Sequence, residues 1–134
     1  EYEVNKLLID TMEKHLKIKH SKFHKICIPT LQGFELISVN EIMYLQADGA
    51  YTYFFMESGN RITSTKNLGF YEEELKEEPF LRIHQTFMVN INKVKQYLKA
   101  DNGYVIMTTG KAIRVSRSKK DELLAFFKMG YSSE

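Results

Sequence analysis

The spacing of hydrophobic side chains changes along the chain, and each change predicts a different type of element. Residues 3–17 place apolar side chains near helical spacing, with acidic residues early and lysines late, which predicts an amphipathic helix whose charges complement its dipole. From residue 23 onward, short runs rich in aromatic and β-branched residues are separated by turn residues, which predicts strands. These runs are residues 23–31, 33–39, 42–48, 51–57 and 60–65.

After the fifth run the hydrophobic period changes. Residues 66–77 alternate apolar side chains with glutamates, which predicts a short helix that ends before Pro79. Residues 80–90 predict a strand, and the tripeptide Asp-Asn-Gly at 101–103 is a hairpin signal between two further strands. A final helix reaches Gly130. The pattern therefore predicts a mostly β domain with two or three helices.

The length of the chain, 134 residues, corresponds to one domain with a short extension. We divide it into a linker helix and basic stretch, residues 1–20, and a folded domain, residues 21–131. Because the sequence begins at Glu1 without a methionine, we expect it to be a piece of a longer protein with an upstream domain. No apolar run approaches the ~20 residues that a membrane span needs, so we expect no membrane contact.

The single cysteine, Cys27, excludes an intramolecular disulfide and a four-cysteine zinc site. Its place between Ile26 and Ile28 in a predicted strand indicates a half-buried structural thiol. A lone thiol also fits a reducing compartment, and we expect the protein to be cytoplasmic.

The charged residues are distributed unevenly along the chain. The formal net charge is +2, but residues 14–25 carry a net +5 and residues 82–121 a net +7, whereas residues 26–81 carry −6. Two basic blocks can form one positive face, which suits a polyanion such as a nucleic acid. Charge alone is equally compatible with general solvation of the surface.

Motifs of the common catalytic classes are absent from the sequence. It has no phosphate-binding glycine loop, no dinucleotide motif and no nucleophile elbow, so we expect neither catalytic residues nor a cofactor. His20 and His24 have the spacing of zinc ligands on a helix, but this part of the chain predicts a strand, and we expect no metal site. The acidic residues within 72–78 are typical of a solvated helix face.

Nucleic-acid contact is the stronger interpretation of the polar segments. Three of them, residues 48–52, 82–86 and 114–120, place basic or amide side chains beside turns or strand ends. Arginine and glutamine make paired hydrogen bonds to guanine and adenine edges, and serine and lysine at a helix start suit phosphates. Two alternatives stay open, namely ordinary solvation of the helix start for Arg117 and Lys119, and a histidine satisfied within its strand for His84.

Four motifs, in the same order along the chain, resemble those of one family. The segment from Phe80 to Asn90 is similar to F-x-R-x-H-R-S-x-x-V-N, the signature of LytTR domains, which bind DNA at the C-terminus of many bacterial response regulators. Residues 42–52 resemble the family's I-x-Y-x-E-A-x-G-N-Y-T, residues 68–75 its short helix, and residues 113–117 its I-P-V-S-R. The resemblance covers roughly residues 23–128. It implies a mainly β fold of several small antiparallel sheets with short helices, whose loops enter successive major grooves.

The resemblance also implies which residues contact DNA. Base contacts are expected from Gln85 and Arg117, and from Tyr51 and Thr52 in the loop between two strands. Contacts to the DNA backbone, or support of it, are expected from seven further residues: Arg82, His84, Arg114, Ser116, Ser118, Lys119 and Lys120. Asn90 is expected to be structural and to turn the chain.

The interpretation that follows is a sequence-specific, double-stranded DNA-binding domain of a bacterial transcription regulator. The resemblance implies an upstream receiver domain, joined through a helix like residues 3–17, and dimerisation on tandem repeats. Gln85 and Ala50 stand where the family often has arginine and asparagine, which predicts a different target sequence. Two alternatives remain, a protein-interaction module that uses strand edges and the 3–17 helix, and a single-stranded DNA or RNA binder that stacks bases on aromatic residues.

Overall fold

The computed structural model describes residues 24–131, with side chains up to residue 128. The helix predicted over residues 3–17 and the boundary at residue 20 therefore lie outside the described residues. The described chain forms ten strands and two helices, linked in places by short 3-10 turns. These elements are β1 (Lys25–Thr30), β2 (Gly33–Ser38), β3 (Ile42–Asp48), β4 (Tyr51–Met56), β5 (Arg61–Ser64), α1 (Leu68–Glu74), β6 (Phe80–His84), β7 (Phe87–Asn90), β8 (Val94–Leu98), β9 (Tyr104–Met107), β10 (Ala112–Arg114) and α2 (Lys120–Tyr131).

The strands form three separate antiparallel sheets. A central sheet has the strand order β5-β4-β3-β7-β6, a hairpin pairs β1 with β2, and a third sheet has the order β10-β9-β8. This arrangement confirms the predicted mainly β fold of several small antiparallel sheets with short helices. Within residues 24–131, no helix is long and apolar enough to cross a membrane.

Two hydrophobic clusters join the three sheets. The first contains Ile28 of β1, Phe54 of β4 and Tyr71 of α1, all almost fully buried. The second contains Ile113 of β10 and Leu123 of α2. The central sheet contributes side chains to both clusters, so the β1–β2 hairpin and α1 cover one face of it, and the third sheet and α2 cover the other.

A β-bulge allows β3 to serve both clusters. The register of β3 against β4 shifts between Ile42 and Tyr44, so Met43 is an extra residue in the strand. The insertion interrupts the alternation of side chains: Met43 and Tyr44 both lie in the second cluster, whereas Ile42 and Leu45 lie in the first. Four consecutive side chains of β3 are therefore buried.

The side chain of Asn90, at the end of β7, fixes the start of β3. Its Nδ2 donates to the carbonyl of Ile42 at 2.9 Å, and its Oδ1 accepts a hydrogen bond from the amide of Asn92 at 3.0 Å. The β3–β7 ladder begins only at Tyr44, so the Ile42 carbonyl lies beyond it and needs another donor. Asn90 is 2% exposed and also caps the 3-10 turn Ile91–Lys93, which confirms its predicted structural role.

The predicted hairpin at residues 101–103 joins β8 to β9. Asp101, Asn102 and Gly103 have φ values of 49°, 75° and 110°, a region that asparagine, aspartate and glycine tolerate best. Gly103 is also required sterically, because a Cβ atom there would lie 2.5 Å from the hydroxyl oxygen of Tyr97.

The prediction of one strand over residues 80–90 is wrong. The chain forms β6, turns at Gln85 and Thr86, and returns as β7, with Leu81 paired to Val89. The turn contains none of the residues that usually mark turns in a sequence, such as glycine, proline, asparagine or aspartate. Hydrogen bonds to two side chains of β6 and to one backbone amide of β3 hold it instead.

The prediction of a half-buried thiol at Cys27 is also wrong, because Cys27 is exposed. A two-stranded hairpin buries only one face, so alternation along β1 turns Ile26 and Ile28 inward and Cys27 outward. Cys27 pairs with Leu36 on the outer face, where Leu36 and Phe34 are 62% and 64% exposed.

We expect Asn90→Ala to destabilise the domain by about 1–3 kcal/mol, because it leaves the buried Ile42 carbonyl without a donor. Urea unfolding followed by circular dichroism measures the change. The control is Asn92→Ala, which removes an exposed amide that contributes only its backbone N–H to this network. Equal stability of the two variants would contradict the role assigned to Asn90.

Candidate nucleic-acid interface

Backbone hydrogen bonds join the three segments that the sequence predicts as DNA contacts. The amide of Ala47, near the end of β3, donates to the Thr86 carbonyl at 2.8 Å, and the amide of Ser116, after β10, donates to the Ile83 carbonyl of β6 at 2.7 Å. Because β3 and β7 are antiparallel neighbours, the turn after β3 and the turn before β7 lie at the same end of the sheet. The three segments therefore meet at one edge of the molecule.

Two side chains fix the β6–β7 turn. A terminal nitrogen of Arg82, Nη2, donates to the Gln85 carbonyl. The amide of Thr86 donates to Nδ1 of His84 at 3.1 Å, and the Thr86 hydroxyl lies 3.0 Å from the same nitrogen. Since Nδ1 accepts the amide proton, a neutral His84 carries its own proton on Nε2. Both central residues of the turn thus have backbone groups held by the rest of the domain.

Gln85 and Arg117 present side chains without partners. Both are exposed, and neither side chain makes a hydrogen bond or ion pair within residues 24–131. Arg117 begins the 3-10 turn Arg117–Lys119, which leads into α2. The bond between Ser116 and Ile83 holds this turn beside β6. The two strongest candidates for base contact therefore lie in segments that a backbone hydrogen bond joins, and both side chains are unengaged within the described residues.

The two candidates that were expected in the loop after β3 lie instead at the start of β4, and they differ in accessibility. Tyr51 is 41% exposed at the start of β4. Thr52 is fully buried, and its Oγ1 donates to the Lys66 carbonyl at 2.8 Å. The structure gives Thr52 the role of tying β4 to the segment before α1, and its side chain does not reach the surface where a base would lie.

Two arginines at this edge have partners inside the domain. Nη1 of Arg82 donates to Oε1 of Glu72 in α1 at 3.0 Å, and the Arg82 side chain is only 23% exposed. Nη2 of Arg114 donates to the Tyr104 hydroxyl at 3.0 Å, and its guanidinium lies 5.3 Å from the centre of that ring. Arg114 is nevertheless exposed and keeps donors that face solvent.

The start of α2 carries the remaining candidates. The hydroxyls of Ser116 and Ser118 lie 3.4 Å apart. Nζ of Lys119 lies 3.5 Å from Oε1 of Glu122 one turn later, and the Lys120 side chain is half-buried. An exposed pair such as Lys119–Glu122 contributes little and can open when a phosphate binds.

Three side-chain contacts that shape this edge were not predicted from the sequence. The carboxylate of Asp48 accepts a hydrogen bond from the Tyr53 hydroxyl, and this bond raises the pKa of Tyr53 above its usual value. The guanidinium of Arg61 lies 4.5 Å from the centre of the Tyr53 ring and offsets the charge of Asp48. Glu72, assigned to a solvated helix face, is the partner of Arg82. No spacing rule signals these contacts, because they join different elements.

Only one of the two histidines considered as metal ligands lies in the part of the chain that the structure describes. His20 lies outside that part, and Nδ1 of the buried His24 lies 3.2 Å from Oε2 of Glu78. Residues 24–131 contain no group of three or more histidine, cysteine, aspartate or glutamate side chains that could hold a metal ion.

The family model described as the LytTr DNA-binding domain matches residues 32–128, which include all three segments. The chain belongs to the LytTR family. As a LytTR domain it is a DNA-binding domain and not a member of an enzyme family. This confirms the resemblance carried by the four motifs.

One solved structure and two curated relatives are consistent with this assignment. A solved structure described as the LytTr DNA-binding domain of a methyl-accepting/DNA response regulator from Bacillus cereus superposes with a TM-score of 0.67 and 25% identity, over 77% of this chain and 95% of that one. The sensory transduction protein LytT of Bacillus cereus is 25% identical over 134 aligned residues, covering 87% of this chain and 54% of the relative. An uncharacterized response regulatory protein of Yersinia pestis is 30% identical over 112 residues, covering 79% and 47%. The chain spans about half the length of the curated relatives it matches.

If Lys119 contacts a phosphate, Lys119→Ala should weaken binding to all duplexes alike. It should also flatten the slope of log affinity against log salt by about 0.9, because one fewer counterion is released. Fluorescence anisotropy of labelled duplexes at several salt concentrations measures this slope. The control is Lys76→Ala, which removes a lysine with a similar i,i+3 partner, Glu73, outside the three segments. A slope that is equal in the two variants would remove Lys119 from the interface.

Proposed function

We propose that this LytTR domain binds double-stranded DNA sequence-specifically as the output domain of a bacterial response regulator. Its three joined segments would enter successive major grooves. The observation that carries the proposal is the pinned β6–β7 turn, which holds the backbone at Gln85 and Thr86 while the Gln85 side chain stays exposed and unengaged. Because the backbone at Gln85 is already fixed, binding of a base edge orders only the side chain and not the turn.

The proposed base contacts are Gln85, Arg117 and, at a third position, Tyr51. Their exposure supports this assignment. Thr52 is left out because it is buried. The proposed phosphate contacts are the exposed or partly exposed polar residues around them: His84 through its Nε2 proton, Arg114, Ser116, Ser118, Lys119 and Lys120. Phosphate contacts of this kind set position and orientation, whereas the base contacts set the sequence.

What we propose for the rest of the protein rests on the longer relatives that this chain matches. Two of them are a sensory transduction protein and a response regulatory protein, about twice as long as this chain. We propose an upstream receiver domain, connected through residues 3–17, dimerisation on tandem DNA repeats, and a cytoplasmic location. Phosphorylation of the receiver would then raise the local concentration of LytTR domains on DNA.

Single-stranded nucleic acid is a poorer fit to the aromatic residues. Tyr44 and Phe55 stack on each other with ring centres 4.5 Å apart, and Phe54 packs edge-on against Tyr71 at 4.8 Å. These rings fill the clusters on the two faces of the central sheet and are not available as a platform for bases. These four aromatic residues therefore serve packing.

The β1–β2 hairpin favours a second candidate function, protein interaction. Its outer face exposes Leu31, Phe34 and Leu36, which are 75%, 64% and 62% accessible. A cluster of exposed apolar side chains is typical of contact with another protein surface. This function is compatible with DNA binding at the other segments.

Competition binding with duplex DNA, single-stranded DNA and RNA of one sequence tests the proposal. We expect duplex to compete best, and selection from a random duplex pool to return a repeated motif. Equal competition by all three nucleic acids, or a pool without enrichment, would overturn sequence-specific duplex binding and leave the hairpin surface as the better candidate.

We expect Gln85→Arg to change the preferred base at one position. The glutamine amide has one donor and one acceptor, which match N7 and N6 of adenine, whereas arginine offers two donors, which match N7 and O6 of guanine. The preference at one base pair should move toward guanine by about 1–3 kcal/mol, and the other positions should keep their preferences. Repeating the duplex selection with the variant measures the change.

The control is Gln96→Arg, which adds the same charge at an exposed position of β8. A smaller shift at the same base pair would fit a water between Gln85 and the base. If Gln85→Arg strengthens binding equally to every sequence, the residue lies over a phosphate and the base-contact role is wrong.

A further inference from the structure

Arg82 connects helix α1 to the β6–β7 turn through both ends of its guanidinium. Nη1 donates to Oε1 of Glu72 at 3.0 Å, and Nη2 donates to the backbone carbonyl of Gln85. The guanidinium is planar and rigid, so fixing one end on the Glu72 carboxylate fixes the direction of the other end. The position of the Gln85 carbonyl therefore depends on a residue in a different element.

The same contacts make Arg82 a poor partner for phosphate. Its side chain is only 23% exposed, and both terminal nitrogens already donate inside the domain. The Glu72 carboxylate also neutralises its charge at close range. These bonds use two of the five N–H donors of the guanidinium, and a phosphate at the remaining donors would lie close to the Glu72 carboxylate, which repels it. Arg117, in contrast, has no such partner in the described chain.

We propose that Arg82 and Glu72 form a positioning pair that sets the orientation of Gln85, and that neither residue contacts DNA. The inference rests on the proposed function, because it assigns a cause to the base preference of the same site. It differs from the role that the family resemblance implies for Arg82, which is contact with, or support of, the DNA backbone.

The other contacts of the turn explain why this pair matters. The Thr86 amide is held by His84, and the Thr86 carbonyl by the amide of Ala47. These bonds hold the second central residue of the turn. The Gln85 carbonyl and the Thr86 N–H belong to one planar peptide group, which Arg82 holds on the carbonyl side and His84 on the N–H side. Loss of the pair leaves this group held on one side only, which loosens the backbone that carries the Gln85 side chain. A loosened glutamine can still bind DNA, but it discriminates less between bases.

The sign of the effect separates positioning from simple electrostatics. Glu72→Gln removes a negative charge from the edge that faces DNA, which by charge alone should strengthen binding to every duplex and leave base preference unchanged. A positioning role predicts that the same change lowers the preference at the base pair assigned to Gln85, whatever happens to total affinity. The two explanations therefore predict different outcomes for one substitution.

The experiment compares the full chain with three variants: Glu72→Gln, Arg82→Gln and the control Glu73→Gln. Glu73 lies on the same helix, is 71% exposed, pairs with Lys76 and loses the same charge on substitution. Affinities are measured by anisotropy for the selected duplex and for duplexes altered at one base pair each, over a range of salt concentrations. A bidentate contact discriminates roughly 5- to 150-fold between the right and the wrong base, so a loss of base preference is large enough to measure.

We expect Glu72→Gln and Arg82→Gln to reduce the preference at the Gln85 base pair by about fivefold or more, while the Arg117 base pair keeps its preference. The slope of log affinity against log salt should be the same in both variants as in the control Glu73→Gln. A slope that falls by about 0.9 in Arg82→Gln, with all base preferences kept, would show that Arg82 contacts a phosphate and would overturn the inference.

Amide hydrogen exchange in the absence of DNA keeps this test separate from the proposed function. We expect the Thr86 amide to exchange several-fold faster in Glu72→Gln and Arg82→Gln than in Glu73→Gln, because the turn loses its support at Gln85. If neither the unaltered chain nor any variant binds DNA but exchange changes as expected, the proposed function fails and the positioning pair stands. Unchanged exchange together with unchanged base preference would overturn the positioning pair itself.

Discussion

The hydrogen bond from Asn90 to the Ile42 carbonyl is the constraint on which the central sheet depends. It holds the start of β3 against the end of β7 at the place where the bulge interrupts regular pairing. The bulge in turn lets β3 send Ile42 and Leu45 to one cluster and Met43 and Tyr44 to the other. One buried side-chain amide thus supports the packing on both faces of the central sheet.

The geometry of the candidate interface follows from the same strand. After the bulge, β3 continues to its end beside the β6–β7 turn, where the amide of Ala47 donates to the Thr86 carbonyl. The turn then holds Gln85 outward, and β6 holds the segment before α2 through Ile83. The side chains proposed for base contact are therefore spaced by backbone hydrogen bonds of the core sheet, and the basic residues around them add affinity without setting that spacing.

The sequence predicted most strands, the two described helices and the hairpin at residues 101–103, because alternation, helical spacing and positive-φ residues are local signals. It did not predict the β6–β7 turn, since that turn is held by hydrogen bonds to Arg82, His84 and Ala47 and contains no turn-forming residue of its own. The Glu72–Arg82 pair has no local signal either. The burial of Thr52 did have one: it shares the buried face of β4 with Phe54 and Met56, so alternation alone argues against a base contact.

The long separation between Asn90 and Ile42, 48 residues along the chain, has a consequence for how the domain forms. β3 finds its neighbour β7 only after the intervening hairpin strands and α1 have been synthesised, and non-local pairing of this kind slows folding. A ribosome-bound chain that stops before Asn90 would carry β3 with one edge unpaired and its second cluster uncovered. The bond between the Ala47 amide and the Thr86 carbonyl also requires β7 to pair with β3, so we expect the surface proposed to bind DNA to form late in folding.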